Sequence, residues 1–325
     1  MSDRPRARTL LGDPDVVSLL RRRHAEGSRP SARRDPHRVA LVVGGGGMRG
    51  AYPAGMLDAL DSIGLRDAVD EIYGASSGSF LAACFAAGHA AGAAASFPED
   101  LASRAFVDLR RFASRRPVLS LDHLLYGVLG GTKPMPWDAL LASPMRVRLV
   151  ATAVDDLRPR VLGGLTDPDA WRRGLRASAA IPLVAGPAVE HEGRRWVDGS
   201  IGEPLALARA VRGGATHVLV LLSRPTADLR LDPDVRIPWW ARLLDRFTPG
   251  LGTLTQGEAR YGADLALVTD PAHPGLRGAR VAAIEPSTGT GMGALTVDPG
   301  PVGDAVRVGR ESALAALGAD ALPQR

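Results

Sequence analysis

Residues 38–50 read RVALVVGGGGMRG, a β-branched apolar run that passes directly into four consecutive glycines. Such a run predicts a short buried strand of the kind found in parallel sheets. Residues 50–64, GAYPAGMLDALDSIG, then place apolar side chains at helical spacing and end on a glycine. A strand, a glycine-rich turn and a helix in this order predict the first unit of an α/β fold.

The glycine loop, residues 44–50, brings bare backbone to the end of the first predicted strand. Glycine costs conformational entropy, so a cluster of glycines indicates a turn with positive φ or a ligand that approaches the main chain closely. A phosphate and an oxyanion are two such ligands, because several backbone N–H groups bind each of them. A dinucleotide fingerprint fits the letters at Gly45, Gly47 and Gly50, but it requires an acidic residue near the end of the second strand.

The second predicted strand, VDEIYGA (69–75), ends in a serine-containing turn instead of an acid. GASSG (74–78) is a G-x-S-x-G motif between this strand and a predicted helix over 77–92. This is the context of a nucleophile elbow, in which glycines flank a tight turn that presents the serine, here Ser76. Because a parallel crossover brings two strand ends to one edge of the sheet, the glycine loop should lie beside Ser76 and bind an oxyanion.

The rest of the chain continues the alternation of strands and helices. Further strands are predicted at 146–154, 158–164, 216–224 and 279–286, a hairpin at 188–199, and helices at 167–178, 202–213 and 302–318. This alternation predicts an α/β sandwich with a largely parallel sheet. We predict a catalytic core over residues 39–224, which residues 225–325 complete within the same domain.

Residues 1–38 are predicted to form a flexible arm. They hold ten arginines against five acidic residues, with interspersed prolines, and only residues 15–25, DVVSLLRRRHA, suggest a short helix. Such an arm is either a solvated tail or a patch that meets anionic lipid headgroups. Two apolar stretches, 118–130 and 237–247, lack strand character, and the second is either an interfacial helix or a helix packed on the core.

The composition is that of an ordinary globular protein, with 325 residues, 45% of them hydrophobic, and a formal net charge of +5. The sequence has no apolar run of transmembrane length and no secretory signal pattern, so a cytoplasmic location is expected. Cys84 is the single cysteine, which excludes an intramolecular disulfide and a cysteine-based metal cluster. No nucleic-acid-binding module is recognised, so no nucleic-acid partner is expected.

A nucleophilic serine needs a general base, and the sequence offers two kinds. Most serine hydrolases use a histidine oriented by a carboxylate. Only one of the seven histidines, His273 in DPAHPGL, is an attractive loop candidate; the others are His24, His37, His89, His123, His191 and His217. The competing base is Asp198, which ends a predicted strand in WVDGS (196–200) and precedes a glycine and a helix start.

Together, the glycine loop, the Ser76 elbow and the Asp198-Gly199 pair resemble the patatin-like phospholipase family in order and spacing. Residues 177–200 also resemble the segment that leads to the family's aspartate, and the resemblance covers about residues 39–224. It implies a three-layer α/β/α sandwich with a mostly parallel central sheet. It further implies a Ser–Asp dyad without histidine, and hydrolysis of lipid acyl esters without calcium, another metal or a cofactor.

Transferred to this chain, the resemblance makes Ser76 the nucleophile and Asp198 the base. The implied oxyanion hole is the backbone of Gly45, Gly46, Gly47 and Arg49, and the glycines of the elbow are Gly74 and Gly78. Ser200 departs from the family, which usually carries Gly or Ala after the Asp-Gly pair. The partners expected are a lipid or acyl-ester substrate and, peripherally, a membrane surface. The apolar stretches 118–130 and 237–247 are then the candidates to hold the lipid.

Two functions of other classes remain open at the level of sequence. One is a serine esterase or acyltransferase that uses His273 in a triad and acts on soluble esters or thioesters. The other is a protein that binds lipid without turning it over. The intact Ser76 and Asp198 argue against the second.

Overall fold

The computed structural model describes residues 9–229 and 257–318. The strands of this part are β1 Leu10–Gly12, β2 Val39–Val43, β3 Glu71–Gly74, β4 Arg146–Ala153, β5 Pro159–Val161, β6 Val189–His191, β7 Arg194–Asp198, β8 His217–Leu221 and β9 Arg280–Ile284. The α-helices are α1 Asp15–Ala25, α2 Ala51–Ser62, α3 Ser77–Ala86, α4 Ala90–Ser96, α5 Trp137–Leu141, α6 Pro168–Ala179, α7 Gly199–Gly202, α8 Leu207–Arg212, α9 Gly257–Thr269 and α10 Pro299–Leu317. A π-helix, His123–Thr132, precedes α5.

The strands form one mixed sheet in the order β1-β9-β8-β2-β3-β4-β7-β6, and β5 pairs with β4 outside this path. The five central strands, β9, β8, β2, β3 and β4, run parallel to one another. The flanking strands β1, β5, β6 and β7 are antiparallel to their neighbours. The parallel centre agrees with the sequence pattern, because β2, β8 and β9 are nearly continuous apolar runs.

The sheet separates two hydrophobic cores, as the predicted three-layer α/β/α fold requires. Alternate residues of β2 point to opposite faces: Val39, Leu41 and Val43 enter one core, and Ala40 and Val42 enter the other. Helices α1, α2, α3, α4, α6 and α10 cover the first face, and α8 and α9 cover the second. The α/β sandwich is therefore confirmed.

The N-terminal segment is not the flexible arm that its arginine content suggested. Within the described residues, β1 pairs with β9, so the chain before residue 38 is part of the sheet. Helix α1 agrees with the short helix indicated by the sequence, and it buries Val16, Leu19 and Leu20 against the first core. The prediction of a solvated tail is wrong for residues 9–38, because the apolar face of α1 packs in the first core.

The Arg23 side chain on α1 is fully buried and joined by ion pairs to two aspartates. Its Nη2 lies 2.7 Å from Asp35 Oδ1, and its Nη1 lies 2.8 Å from Asp70 Oδ2. The guanidinium also donates to the carbonyl oxygens of Ala68 and His37. The hydrogen bond with Arg23 is the main cause that lowers the pKa of Asp35 to about 2. This network satisfies a charge whose burial would otherwise be costly.

The C-terminal part contributes to the same fold. Strand β9 continues the parallel sheet beyond β8, and α10 packs along α2. The two helices touch through glycines: a Cβ on Gly55 would overlap the Val306 carbonyl oxygen, and one on Gly309 would overlap the Tyr52 carbonyl oxygen. This part therefore shares the sheet and the first core. The apolar stretch 237–247 lies outside the described residues.

No helix within the described ranges is long and apolar enough to cross a membrane.

Candidate active site

Ser76 lies in a strained turn between β3 and α3. Its backbone has φ 56° and ψ −133°, a conformation that residues other than glycine rarely adopt. Gly74 and Gly78 allow this turn, because a Cβ on Gly74 would overlap the Gly78 carbonyl and one on Gly78 would overlap the Val43 carbonyl oxygen. The geometry is that of a nucleophile elbow, with Ser76 at the amino end of α3.

The glycine loop lies directly against this elbow. A Cβ on Gly45 would lie 2.6 Å from the Ala75 carbonyl oxygen and 3.1 Å from Ser76 Cβ, so only glycine fits there. Gly46 and Gly47 both have positive φ, 139° and 61°. These two glycines line the same cavity as Ser76. The crossover argument from the sequence therefore agrees with the positions of both segments.

Some N–H groups of the glycine loop already donate a hydrogen bond, and others do not. The Met48 N–H donates to the Ala294 carbonyl oxygen over 3.0 Å, and the Arg49 N–H donates to the Gly46 carbonyl oxygen over 3.2 Å. Among the backbone bonds between described residues outside regular elements, none uses the N–H of Gly46 or Gly47. The same holds for the N–H of Gly45, whereas the N–H of Arg49, the fourth residue of the expected oxyanion hole, already has an acceptor.

Asp198 lies at the same edge of the sheet, on the far side of β4 from Ser76. Gly74 is paired with Leu149 of β4, and Asp198 is paired with Ala151 two residues further along the same strand. One short segment holds both candidate residues: the Ser76 N–H donates to the Ser178 carbonyl, and the Asp198 N–H donates to the Ala180 carbonyl. These bonds fix the spacing between the two backbones.

The Asp198 carboxyl is fully buried, and its two oxygens differ. Oδ1 accepts hydrogen bonds from the N–H and the hydroxyl of Ser200, each over 2.7 Å. Oδ2 has no hydrogen-bond partner among the described residues. Burial raises the pKa of Asp198, and the bonds from Ser200 and the nearby Ser76 hydroxyl oppose this rise. The Ser76 hydroxyl therefore lies near the carboxyl, although no hydrogen bond joins the two.

A cavity of about 290 Å³ opens in front of Ser76, and its walls are almost entirely apolar. Four leucines of the apolar stretch 118–130 are part of this wall: Leu119, Leu121, Leu124 and Leu125. The apolar lining residues include Phe80, Phe97, Leu101, Phe106, Leu119, Leu121, Leu124, Leu125, Leu175, Ile181, Val184 and Leu295. Ser200 also lines the cavity, whereas Asp198 lies behind it.

None of the seven histidines, all of which lie in described residues, lines this cavity. His273 precedes β9 and therefore lies towards the amino ends of the parallel strands, whereas Ser76 follows the carboxyl end of β3. Its ring nitrogen Nδ1 accepts a hydrogen bond from the Gly275 N–H over 3.0 Å, as the cap of a short 3-10 turn. The structure therefore does not bring His273 to Ser76.

Sequence reasoning missed two features of this site. Ser200 stood out only as a departure from the family pattern, and its contact with the Asp198 carboxyl was not predicted. The Ala294 carbonyl, which accepts from the glycine loop, lies in a turn-rich stretch without a motif. Among residues 9–229 and 257–318, no group of three or more His, Cys, Asp or Glu side chains could hold a metal ion.

A family model described as patatin-like phospholipase matches residues 41–211, which is more than half of the chain. The chain belongs to the patatin-like phospholipase family. The match runs from β2 to α8 and includes the glycine loop, the elbow and Asp198. The expectation from the three motifs is thereby confirmed at the level of the family.

Individual relatives of this patatin-like phospholipase chain are more distant. It is 29% identical over 194 residues to the uncharacterized protein YjjU of Escherichia coli (strain K12). The aligned region covers 59% of this chain and 53%, about half, of YjjU. Among solved structures, VipD from Legionella pneumophila is 13% identical, with a TM-score of 0.44 over 88% of this chain and 67% of that one. Human GIVD cytosolic phospholipase A2 is 12% identical, with a TM-score of 0.48. The superposition covers 98% of this chain and 68% of the human one. Both scores lie below 0.5.

Proposed function

We propose that this protein is a lipid acyl hydrolase of the phospholipase A or lysophospholipase type, with Ser76 as nucleophile and Asp198 as base. One arrangement carries the proposal: a serine in a strained elbow faces an apolar cavity, and a buried carboxyl with an unbonded Oδ2 lies beside it. Family membership supports the same class of substrate.

In the proposed reaction, Asp198 Oδ2 takes the proton of the Ser76 hydroxyl as Oγ attacks the ester carbonyl carbon. The oxygen of the tetrahedral intermediate accepts hydrogen bonds from the N–H groups of Gly46 and Gly47. The intermediate collapses, the alcohol leaves with the proton from Asp198, and an acyl-enzyme remains. Water, deprotonated by the same carboxylate, then attacks the acyl carbonyl carbon. The bond from this carbon to Ser76 Oγ breaks, the proton on Asp198 passes to Oγ, and the fatty acid leaves.

The raised pKa of Asp198 supports its role as the base. A carboxylate with an ordinary pKa near 3.9 is a weak base for an alcohol, and burial makes it stronger. The two hydrogen bonds from Ser200 favour the charged form of the carboxyl and oppose the rise in pKa that burial causes. The apolar wall of the cavity suits the acyl chain of a lipid. Its lining residues include no charged side chain that could bind a headgroup, so the cavity recognises the acyl chain of the substrate.

The alternative of an esterase or acyltransferase with a histidine triad has less support, because His273 lies towards the opposite edge of the sheet. A lipid-binding protein without turnover would not need the strained backbone of Ser76, which costs free energy on the order of 1–3 kcal/mol. We therefore retain the hydrolase as the proposal for this chain.

Three variants test the dyad, with phospholipids, lysophospholipids, triacylglycerols and short nitrophenyl esters as substrates. Ser76→Ala and Asp198→Asn should each reduce turnover to a residual level, and the double variant should be scarcely worse, because the two residues act as one unit. His273→Ala is the matched control and should stay within a few-fold of the parent. An inactive His273→Ala together with an active Asp198→Asn would overturn the dyad.

A further inference from the structure

The arginine loop, residues 104–116 (RAFVDLRRFASRR), exposes large apolar side chains to solvent. Phe112 is 66% exposed and Leu109 is 64% exposed, more than any other large hydrophobic residue in the described part of the chain. The two belong to one 3-10 helix, Leu109–Ser114, and lie one turn apart. Adjacent exposed apolar side chains of this size mark a surface that binds a partner.

The same loop carries five arginines and one aspartate. Arg110 is paired with that aspartate, Asp108, and Arg111 donates to backbone carbonyls of residues 104–106. Arg115 and Arg116 are exposed, and neither side chain has a hydrogen bond or ion pair with another described residue. The partner should therefore combine an apolar layer with negative charge.

The arginine loop is continuous with the wall of the cavity. Phe106 within it and Leu119 just after it both line the cavity in front of Ser76. The Leu119 N–H donates to the Val184 carbonyl oxygen over 2.7 Å, and Val184 is another lining residue. Leu183, next to Val184, is 46% exposed. A partner bound to the arginine loop would thus lie beside the cavity.

We propose that the arginine loop docks this protein on an anionic membrane surface. Leu109 and Phe112 enter the boundary between headgroups and acyl chains, and Arg110, Arg115 and Arg116 contact acidic headgroups. The proposal rests on the proposed lipid hydrolysis for its purpose, since a lipid that leaves the bilayer there would meet the cavity. It replaces the arm as the expected membrane patch, because α1 of that arm is packed in the core.

Charge distinguishes the membrane from a second copy of the chain as the occupant. A symmetric dimer through this surface would bring the same loop of both copies together. The unpaired guanidinium groups of Arg115 and Arg116 would then face their own copies, which is unfavourable. An anionic bilayer satisfies both the arginines and the apolar side chains.

The test measures binding of the full chain to sedimented vesicles of dialkyl phosphatidylcholine, with and without dialkyl phosphatidylglycerol. These ether lipids have no acyl ester, so binding is measured independently of turnover and separates this proposal from the proposed function. We expect binding to the anionic vesicles and weak binding to the neutral ones. Leu109→Ser/Phe112→Ser should weaken binding at least about tenfold, and Arg115→Gln/Arg116→Gln should weaken it roughly tenfold and remove the preference for anionic lipid.

Two matched controls change the same residue types elsewhere. Leu141→Ser replaces a leucine that is 41% exposed on α5. Arg34→Gln/Arg277→Gln removes two exposed arginines that precede β2 and β9, at the opposite edge of the sheet from Ser76. Both controls should bind like the parent protein. Equal binding by the loop variants and the parent, or a dimer in solution that the loop variants dissociate, would overturn the proposal.

Discussion

The Ser200 hydroxyl donates a hydrogen bond to Asp198 Oδ1 over 2.7 Å, and the Ser200 N–H donates to the same oxygen over 2.7 Å. Both donors act on Oδ1, so Oδ2 is the oxygen left without a hydrogen-bond partner among the described residues. The bonds also favour the charged carboxylate, which burial disfavours. In the proposed reaction, Ser200 is therefore a positioning residue that also sets the pH range of the base.

Replacing Ser200 by alanine should shift the pH dependence of hydrolysis. Loss of one donor to the charged form raises the pKa of Asp198 further, so the acid limb of kcat/KM should move to higher pH by about one unit. Activity should fall about tenfold below the new pKa and recover at high pH. Ser200→Thr keeps the hydroxyl and should keep the parent profile. The measurement is a pH profile with a soluble nitrophenyl ester, and an unchanged profile for Ser200→Ala would contradict the assigned role.

Replacing Gly46 by alanine should reduce turnover far more than stability. A Cβ there would meet its nearest neighbours only at 3.5 Å, so there is room for it, but φ of 139° is strained for alanine and the loop must shift. Displaced N–H donors should lower kcat about 10²- to 10³-fold. Gly27→Ala is the control, since Gly27 also has positive φ and open space around it but lies away from the site. If both variants kept the parent kcat, the glycine loop would not hold the oxyanion.

Replacing Arg23 by glutamine should destabilise the protein by about 3–5 kcal/mol, because two aspartates would lose a buried charged partner. Urea unfolding measures the change in the free energy of unfolding. Arg29→Gln serves as the control, since the Arg29 side chain is 73% exposed and its nearest acidic oxygen lies 3.9 Å away. A change below 1 kcal/mol for Arg23→Gln would mean that the N-terminal segment is not anchored as described. Deletion of residues 1–36 should for the same reason destabilise the fold.

Asp264 should make the stability depend on pH. Burial is the main cause that raises its pKa from 3.8 to about 7, with Glu203 adding to the rise and the Leu205 N–H and Arg212 opposing it. The folded protein then holds a proton that the unfolded chain has already lost, so this group's contribution falls as pH rises from about 4 to 7. Asp264→Asn does not titrate and should avoid this fall, which is up to about 2 kcal/mol once solvent screening is included.

The measurement is the free energy of unfolding in urea at pH 5 and pH 8. The free energy of unfolding of Asp264→Asn minus that of the parent should be more positive at pH 8 than at pH 5. Asp138→Asn, at an exposed position on α5, should show the same difference from the parent at both values. An Asp264→Asn variant whose effect does not change with pH would show that the carboxyl titrates alike in the folded and unfolded states.

The sequence was a good guide where local pattern and topology agree. The apolar run before the glycine loop is strand β2, and the G-x-S-x-G letters predicted a turn whose glycines the structure needs for steric reasons. The crossover between them required no knowledge of side-chain packing, because parallel strands end at the same edge of a sheet. The same rule brought the glycine loop to Ser76.

Long-range pairing explains what the sequence did not predict. Strand β1 is only LLG, too short for a periodic signal, and its register depends on β9 at the other end of the chain. Arg23 is one of three consecutive arginines in the sequence, and its burial depends on Asp35 and Asp70. The residues of the cavity wall come from several separate segments, so their common surface appears only in three dimensions.

The pairing of β1 with β9 has a consequence for synthesis of the protein on the ribosome. β1 is translated about 270 residues before its partner strand, β9. Until β9 emerges, the apolar strand β8 has one unpaired edge, and such an edge is prone to pair with other chains. The nascent chain therefore carries this open edge from the emergence of β8 to that of β9, so its need for chaperones should be greatest just before residue 280 leaves the exit tunnel.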